Sequence, residues 1–266
     1  MLEPCEGGMG RETPDLPDPK QVVCEHLWKT ERMPELLRSE SISKHFGMCR
    51  VLSNISFAVY SGEILGIIGP NGAGKTTLME CMVGLLPSDK GVIYWKDQQI
   101  SPLQSKQFMF YLPDGVLPYA QQRVELVLRF FQRIYGAKKA LLELLVERLE
   151  LSSIFKKEVH SLSKGYRQRL LLAIGLLSPQ PLLMLDEPFD GFDLRQTLRI
   201  MQLLRETLTN RTLLLSIHQL TEAEKICDRF LLLNKGKVSA IGSLVQLQKQ
   251  AGLIAGDLEE VFLSIV

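Results

Sequence analysis

No C-x-x-C pair and no Cys/His cluster with zinc spacing occurs anywhere in this 266-residue chain. Its five cysteines (Cys5, Cys24, Cys49, Cys81 and Cys227) are odd in number and scattered, which excludes a disulfide framework and predicts a reduced compartment. Aromatic residues are sparse, at 7%. An excess of either charge is missing too. Against 31 basic residues stand 30 acidic ones, so the net charge is +1 and there is no basic stripe of the kind nucleic-acid binders carry. The N-terminus, with Glu3 and Glu6, lacks the apolar core of a secretory signal. The longest run without charge, Leu170 to Leu185, is interrupted by Pro179 and Pro181. It falls short of the roughly 20 apolar residues that span a bilayer. These absences predict a soluble, cytosolic chain with no nucleic-acid partner.

What is present begins with Gly69-Pro70-Asn71-Gly72-Ala73-Gly74-Lys75-Thr76, followed by Thr77. It satisfies the phosphate-loop pattern G-x-x-x-x-G-K-[ST] at every fixed position. The apolar run Ile64 to Ile68 precedes it and Leu78 to Val83 can continue as a helix, giving the strand-loop-helix setting the motif needs. A triphosphate needs several backbone N–H groups turned toward it, and glycine lets a loop wrap that closely. The following helix N-terminus adds unpaired donors. Lys75 is expected on the β- and γ-phosphates, and the Thr76 hydroxyl on Mg²⁺.

Residues 1–33, rich in proline and glycine over the first 20, read as a flexible extension. Strands are expected around Leu36 to Ile42 and over Val51 to Tyr60, a short hairpin arm over Gly91 to Gln99, and a buried strand over Phe108 to Leu112. Val124 to Tyr135 and Lys138 to Leu151 carry apolar residues at helical spacing and, with a helix near Arg167 to Leu177, form a helical block over about 120–178. Strands at 181–185, 212–217, 230–233 and 237–241 then alternate with helices at 194–208 and 223–227. Such alternation means a mainly parallel sheet with helices on both faces. Ser243 and Asp257 are expected to cap two last helices, in a tail of residues 243–266.

A second constellation supports the first. Leu182 to Leu185 is an apolar strand ending in Asp186-Glu187-Pro188. At the strand's C-terminal edge, Asp186 can join the Mg²⁺ shell and Glu187 can polarise the water that attacks the γ-phosphate. Ser161-Leu162-Ser163-Lys164-Gly165-Tyr166 leads into a strongly apolar helix; Ser163 can cap it, and Gly165 lets a phosphate approach.

With these residues in place, the chain from about Glu35 onward resembles the ATP-binding subunits of ABC transporters, in particular those of bacterial multidrug- or polysaccharide-type exporters. The resemblance makes Gly69 to Thr76 the Walker A motif, Leu182 to Glu187 the Walker B motif with the catalytic glutamate, and Ser163, Lys164 and Gly165 part of the LSGGQ signature, here with Lys164 and Tyr166 at positions where Gly and Gln are common. It implies that Phe46 stacks on adenine, that His218 is the switch histidine at the γ-phosphate, and that Asp193 is the D-loop aspartate. His26, His45 and His160 match no motif. The implied fold is an α/β P-loop NTPase core with an antiparallel β arm and a helical subdomain, the ATPase domain spanning 34–242.

At the Q-loop position, where relatives have a glutamine near Mg²⁺ and the attacking water, this chain has Asp114, a shorter and charged side chain. The D-loop is also unusual in Phe189, Asp190 and Phe192. The resemblance implies an ATPase on the cytoplasmic face of the membrane. It would use ATP and Mg²⁺, pair head-to-tail with a second ATPase subunit so that each signature closes on the partner's ATP, and drive export through separate membrane-spanning permease subunits. Two alternatives stay open: a soluble ABC-type ATPase acting on the ribosome or DNA, and a non-hydrolysing ATP-binding regulatory subunit.

Overall fold

Two long strands, β1 (Glu35–Phe46) and β2 (Cys49–Tyr60), pair antiparallel through a turn at Gly47 and Met48, with Phe46 opposite Cys49. β4 (Lys90–Trp95) and β5 (Gln98–Ile100) complete a four-stranded antiparallel sheet in the order β2-β1-β4-β5. The computed structural model describes residues 33–207 and 211–266. Residues 1–32 of the expected flexible extension, His26 among them, lie outside the described residues, as does the last residue of the helix expected over 194–208.

The second sheet holds β3 (Ile64–Ile68), β6 (Met109–Leu112), β7 (Leu182–Asp186), β8 (Thr212–Ile217), β9 (Arg229–Asn234) and β10 (Lys237–Gly242). Its order is β10-β9-β3-β8-β7-β6, parallel throughout except for the β9–β10 pair. The expectation of a mainly parallel sheet is met. Its strands read as unbroken apolar runs because both faces are covered. Along β7, Leu183 and Leu185 enter one core while Leu182 and Met184 enter the other.

Helices α1 (Lys75–Val83) and α2 (Pro102–Phe108), with the antiparallel sheet, cover one face. On the other lie α3 (Val124–Ile134), α4 (Lys139–Arg148), α5 (Lys164–Leu177), α6 (Leu194–Thr207), α7 (Leu220–Ile226), α8 (Leu244–Ala251) and α9 (Leu258–Ile265). The caps behave as the residues predict. Ser163 accepts from the Tyr166 amide, Ser243 forms a capping box with Gln246, and Asp257 accepts from the Glu260 amide at 2.9 Å. α2 is a helix for which the apolar spacing gives no signal, yet Ser101 and Gln104 form a capping box with Pro102 in the first turn. Cys81 packs in the core, where burial pushes its thiol up to about 11, so it is a packing residue. Among the described residues, no helix is long and apolar enough to cross a membrane.

Candidate active site

The parallel strands bring their carboxyl ends to one edge, where a doubly wound sheet places its ligands. β3 runs there into the phosphate loop, and α1 starts immediately after it. Gly74 takes φ +103 as the helix N-cap, and α1 has no side-chain cap and no acidic residue in its first turn. A Cβ on Gly74 would fall 2.8 Å from Leu52 Cδ2 and 3.2 Å from the Val51 carbonyl oxygen, so the loop sits against β2 as closely as glycine permits. The unpaired N–H groups of the first turn are thus open to an anion. Asn71, Gly72 and Thr76 are exposed, while Ala73, Gly74 and Lys75 are buried. Gly69 is buried, Pro70 exposed and Thr77 partly buried.

Lys75 donates to the Gly69 carbonyl at 2.9 Å and to that of Pro70 at 3.5 Å, folded back on its own loop. Its Nζ also lies 3.8 Å from Glu187 Oε1. The Thr76 hydroxyl donates to Asp186 Oδ2 at 2.7 Å. These contacts tie the loop to the end of β7, two strands away in the sheet, as the sequence motifs require of one site.

Asp186 is held from three directions. Besides Thr76, the Tyr111 hydroxyl donates to Oδ2 at 3.2 Å, and the Ser216 hydroxyl donates to Oδ1. Burial, followed by the charge of Asp186, pushes the Tyr111 phenol well above its ordinary value, so it stays a proton donor to that carboxylate. Immediately beyond, Glu187 turns the chain with φ +46, a backbone region that non-glycine residues enter sparingly and often at functional sites. Its amide donates to Ser216 Oγ at 3.1 Å and its carbonyl accepts from Gln168 Nε2 at 3.3 Å. Its carboxylate Oε2 lies 2.6 Å from His218 Nδ1. Glu187 is therefore flanked by His218 on one oxygen and Lys75 on the other.

Tyr111, Ser216 and Gln168 belong to this cluster, and the motif reading did not single them out. Ser216 had a signal: it is a lone hydroxyl inside the apolar run Leu213 to Ile217, in register with Asp186. Tyr111 and Gln168 had none, since their partners lie 75 and 19 residues away.

The signature forms a second cluster. Ser163 caps α5, and Lys164 makes a short ion pair with Asp190 in the turn after Glu187. That pair holds the Lys164 ammonium above its ordinary value. A Cβ on Gly165 would come 3.1 Å from the Gly191 carbonyl oxygen, so the start of α5 and the turn after Glu187 leave little room for a side chain between them. Phe189 is buried and Phe192 faces Arg169, which explains why this loop carries bulky residues. Asp193 caps α6, accepting from the Gln196 amide at 2.8 Å.

Two expected residues stand apart. Phe46 is half exposed at the tip of the β1–β2 hairpin. Asp114 is exposed in the turn after β6, and its charge contributes to the raised values of Tyr111 and Lys164.

For a divalent cation, the Thr76 hydroxyl and Asp186 carboxylate offer adjacent hard oxygens, the donor type Mg²⁺ takes. Among the described residues, no group of three or more His, Cys, Asp or Glu is arranged around a metal position, so a cation here would complete its shell with phosphate oxygens and water.

Residues 52–190 match the ABC transporter family. An uncharacterized ABC transporter ATP-binding protein of Methanocaldococcus jannaschii is 31% identical over 227 residues, covering 84% of this chain and 83% of that protein. The lipopolysaccharide export system ATP-binding protein of Acidithiobacillus ferridurans is 33% identical over 220 residues, covering 79% and 91%. A solved ATP-binding subunit of an ABC transporter superposes with a TM-score of 0.79 at 29% identity, covering 86% of this chain and 99% of that one. The chain belongs to the ABC transporter ATP-binding family.

Proposed function

As a member of that family, we propose, this chain hydrolyses ATP to power export through separate membrane-spanning subunits, with its ATPase domain over 34–242 and a helical tail over 243–266. The observation that carries the reading is the placement of Glu187 between Lys75 Nζ at 3.8 Å and His218 Nδ1 at 2.6 Å. A carboxylate so placed can accept a proton from water beside a phosphate chain, while His218 fixes its orientation. Lys75 would exchange its loop carbonyls for the β- and γ-phosphates, helped by the N–H groups of the first turn of α1. Mg²⁺, when bound, neutralises phosphate charge; Thr76 and Asp186 would hold it, and the exposed Asp114 would act on it only through its charge.

In this reading Ser163, Lys164 and Gly165 act on the ATP of a second ATPase subunit, with Asp193 near the same interface. The cytoplasmic membrane face and a permease partner are part of this proposal. Support for a docking partner comes from α3, where Leu126, Phe130 and Ile134 recur every fourth residue and are 52%, 42% and 60% exposed. The name of the lipopolysaccharide export relative supports the outward direction.

The test is turnover of Mg²⁺-ATP by Glu187→Gln. Loss of a general base lowers the rate by roughly a hundredfold or more, and the variant should accumulate as an ATP-bound dimer. Wild-type turnover in the variant would remove Glu187 from the role. Asp114 at the Q-loop position favours a second reading, a subunit that binds ATP without hydrolysing it. Tight binding without turnover in the unaltered protein would establish that one.

A further inference from the structure

Phe46 is half exposed at the hairpin tip, and a carboxylate from the segment before β4 reaches the residues beside it. Asp89 precedes β4, and its amide donates to the Ser43 carbonyl at 2.9 Å, which fixes its backbone on β1. Its Oδ2 accepts from the His45 amide at 2.6 Å and lies 3.0 Å from His45 Nδ1. Its Oδ1 accepts from Lys44 Nζ at 3.4 Å, and Lys44 also donates to the Pro87 carbonyl at 2.6 Å. On the far side of the imidazole, Arg50 Nε donates to His45 Nε2 at 3.1 Å. With Nε2 accepting, Nδ1 carries the proton that goes to Asp89. Consistent with this, the His45 contacts hold the Asp89 carboxyl below its ordinary value.

Lys44 and His45 are consecutive on β1, where its pairing with β2 shifts register, and one carboxylate holds both side chains and the His45 amide directly before Phe46. These contacts on two neighbouring residues fix the roll of the strand about its own axis at the irregularity, and hence the plane of the next side chain. Lys44 adds a contact of its own, with Nζ 5.5 Å from the Phe46 ring centroid.

We propose that Asp89 is a positioning residue for the nucleotide base, holding Phe46 in the orientation that stacks on it through Lys44 and His45. This rests on the reading of Phe46 as the base platform. Asp89 contributes to affinity for the base and nothing to affinity for the phosphates, which the Lys75 loop binds. A residue that merely stabilised the fold would not separate the two.

The experiment measures binding of Mg²⁺-ATP and of Mg²⁺-tripolyphosphate to the full chain by calorimetry, for wild type, Phe46→Ala, Asp89→Asn and Asp89→Ala. Losing one base–aromatic stack weakens ATP binding by roughly tenfold or more in Phe46→Ala. Asp89→Ala is expected to lose roughly three- to tenfold of the same contact, with Asp89→Asn between it and wild type because it keeps one acceptor. Tripolyphosphate should bind all four proteins alike. If Phe46→Ala loses affinity and Asp89→Ala does not, the role of Asp89 is wrong and the platform stands. If Phe46→Ala loses nothing, the platform reading falls and takes this inference with it. Equal weakening of ATP and tripolyphosphate in the Asp89 variants would also overturn it. Should Asp89→Ala fail to fold, as judged by thermal melting, Asp89→Asn decides by the same comparison.

Discussion

The Ser216 hydroxyl donates to Asp186 Oδ1 while its oxygen accepts from the Glu187 amide, so one buried side chain on β8 sets the position of both carboxylates at the end of β7. Ser216→Ala removes a donor and an acceptor and leaves the Asp186 oxygen without that partner. Partners that orient a ligating carboxylate typically contribute about 10–100-fold to activity or metal affinity. We expect a loss of ATP turnover in that range, with half-saturation at a higher Mg²⁺ concentration, read by steady-state kinetics across a Mg²⁺ titration.

Gly236 lies outside every motif, yet it joins three parts of the site. Its amide donates to the Ala73 carbonyl in the phosphate loop at 3.0 Å, and its carbonyl accepts from the Ser53 amide at 2.8 Å. Its φ is +72, and a Cβ there would fall 2.1 Å from the Val51 carbonyl oxygen. Gly236→Ala combines about 1–2 kcal/mol of left-handed backbone cost with a clash that only movement of β2 or the loop can relieve. Lower melting temperature together with weakened tripolyphosphate binding is the expected result; unchanged phosphate binding would show that the loop is held from elsewhere.

Glu63 is 1% exposed and receives Arg229 Nη1 at 3.0 and 3.1 Å on its two oxygens. Burial outweighs Arg229 and raises the Glu63 carboxyl above its ordinary value. Arg229→Met leaves that charge unpaired, at a cost of about 3–5 kcal/mol in chemical denaturation at pH 7. A raised carboxyl binds its proton more tightly folded than unfolded, so stability falls as pH rises through the folded value. The penalty should therefore shrink on acidification, and pairing the substitution with Glu63→Gln should recover part of it at pH 7.

Glu222 on α7 offers a pH test beside the Glu187–His218 pair. Burial first, and Glu187 among the charges, raise its carboxyl above the ordinary 4.5, although His218 pulls the other way. Folding then takes up a proton between the unfolded and folded values, so charged Glu222 destabilises the fold at neutral pH and not below about pH 4.5. Glu222→Gln should raise the melting temperature at pH 7 and leave it unchanged near pH 4.

Much of this site was legible because its chemistry is written in short, contiguous runs. Lys75 and Thr76 follow the loop, and Asp186 and Glu187 end an apolar strand, so each motif carries its own local setting. The alternation of apolar runs and helical spacing likewise gave the parallel sheet. What escaped was held by tertiary contacts. Tyr111 faces Asp186 only because β6 lies beside β7, and Asp89 grips His45 only because β4 pairs with β1. The helix α2 escaped for a different reason: it has too few apolar residues to show a period, although Ser101, Pro102 and Gln104 spell its start.

The unbroken apolar runs of the central strands raise a question of indexing. A strand with one wet face cannot slip by one residue without turning its core side to water, but Leu-Leu-Met-Leu or Leu-Leu-Leu can slip with little hydrophobic penalty. The alignment must then be marked by something else. At one end of β8 the Thr212 hydroxyl accepts from the Gly62 amide at 2.9 Å, and at the other Ser216 meets Asp186. A shift by a single residue would leave buried polar groups at both ends without partners. The side chains that prepare the site for chemistry thus also serve as the zero marks by which the sheet is read.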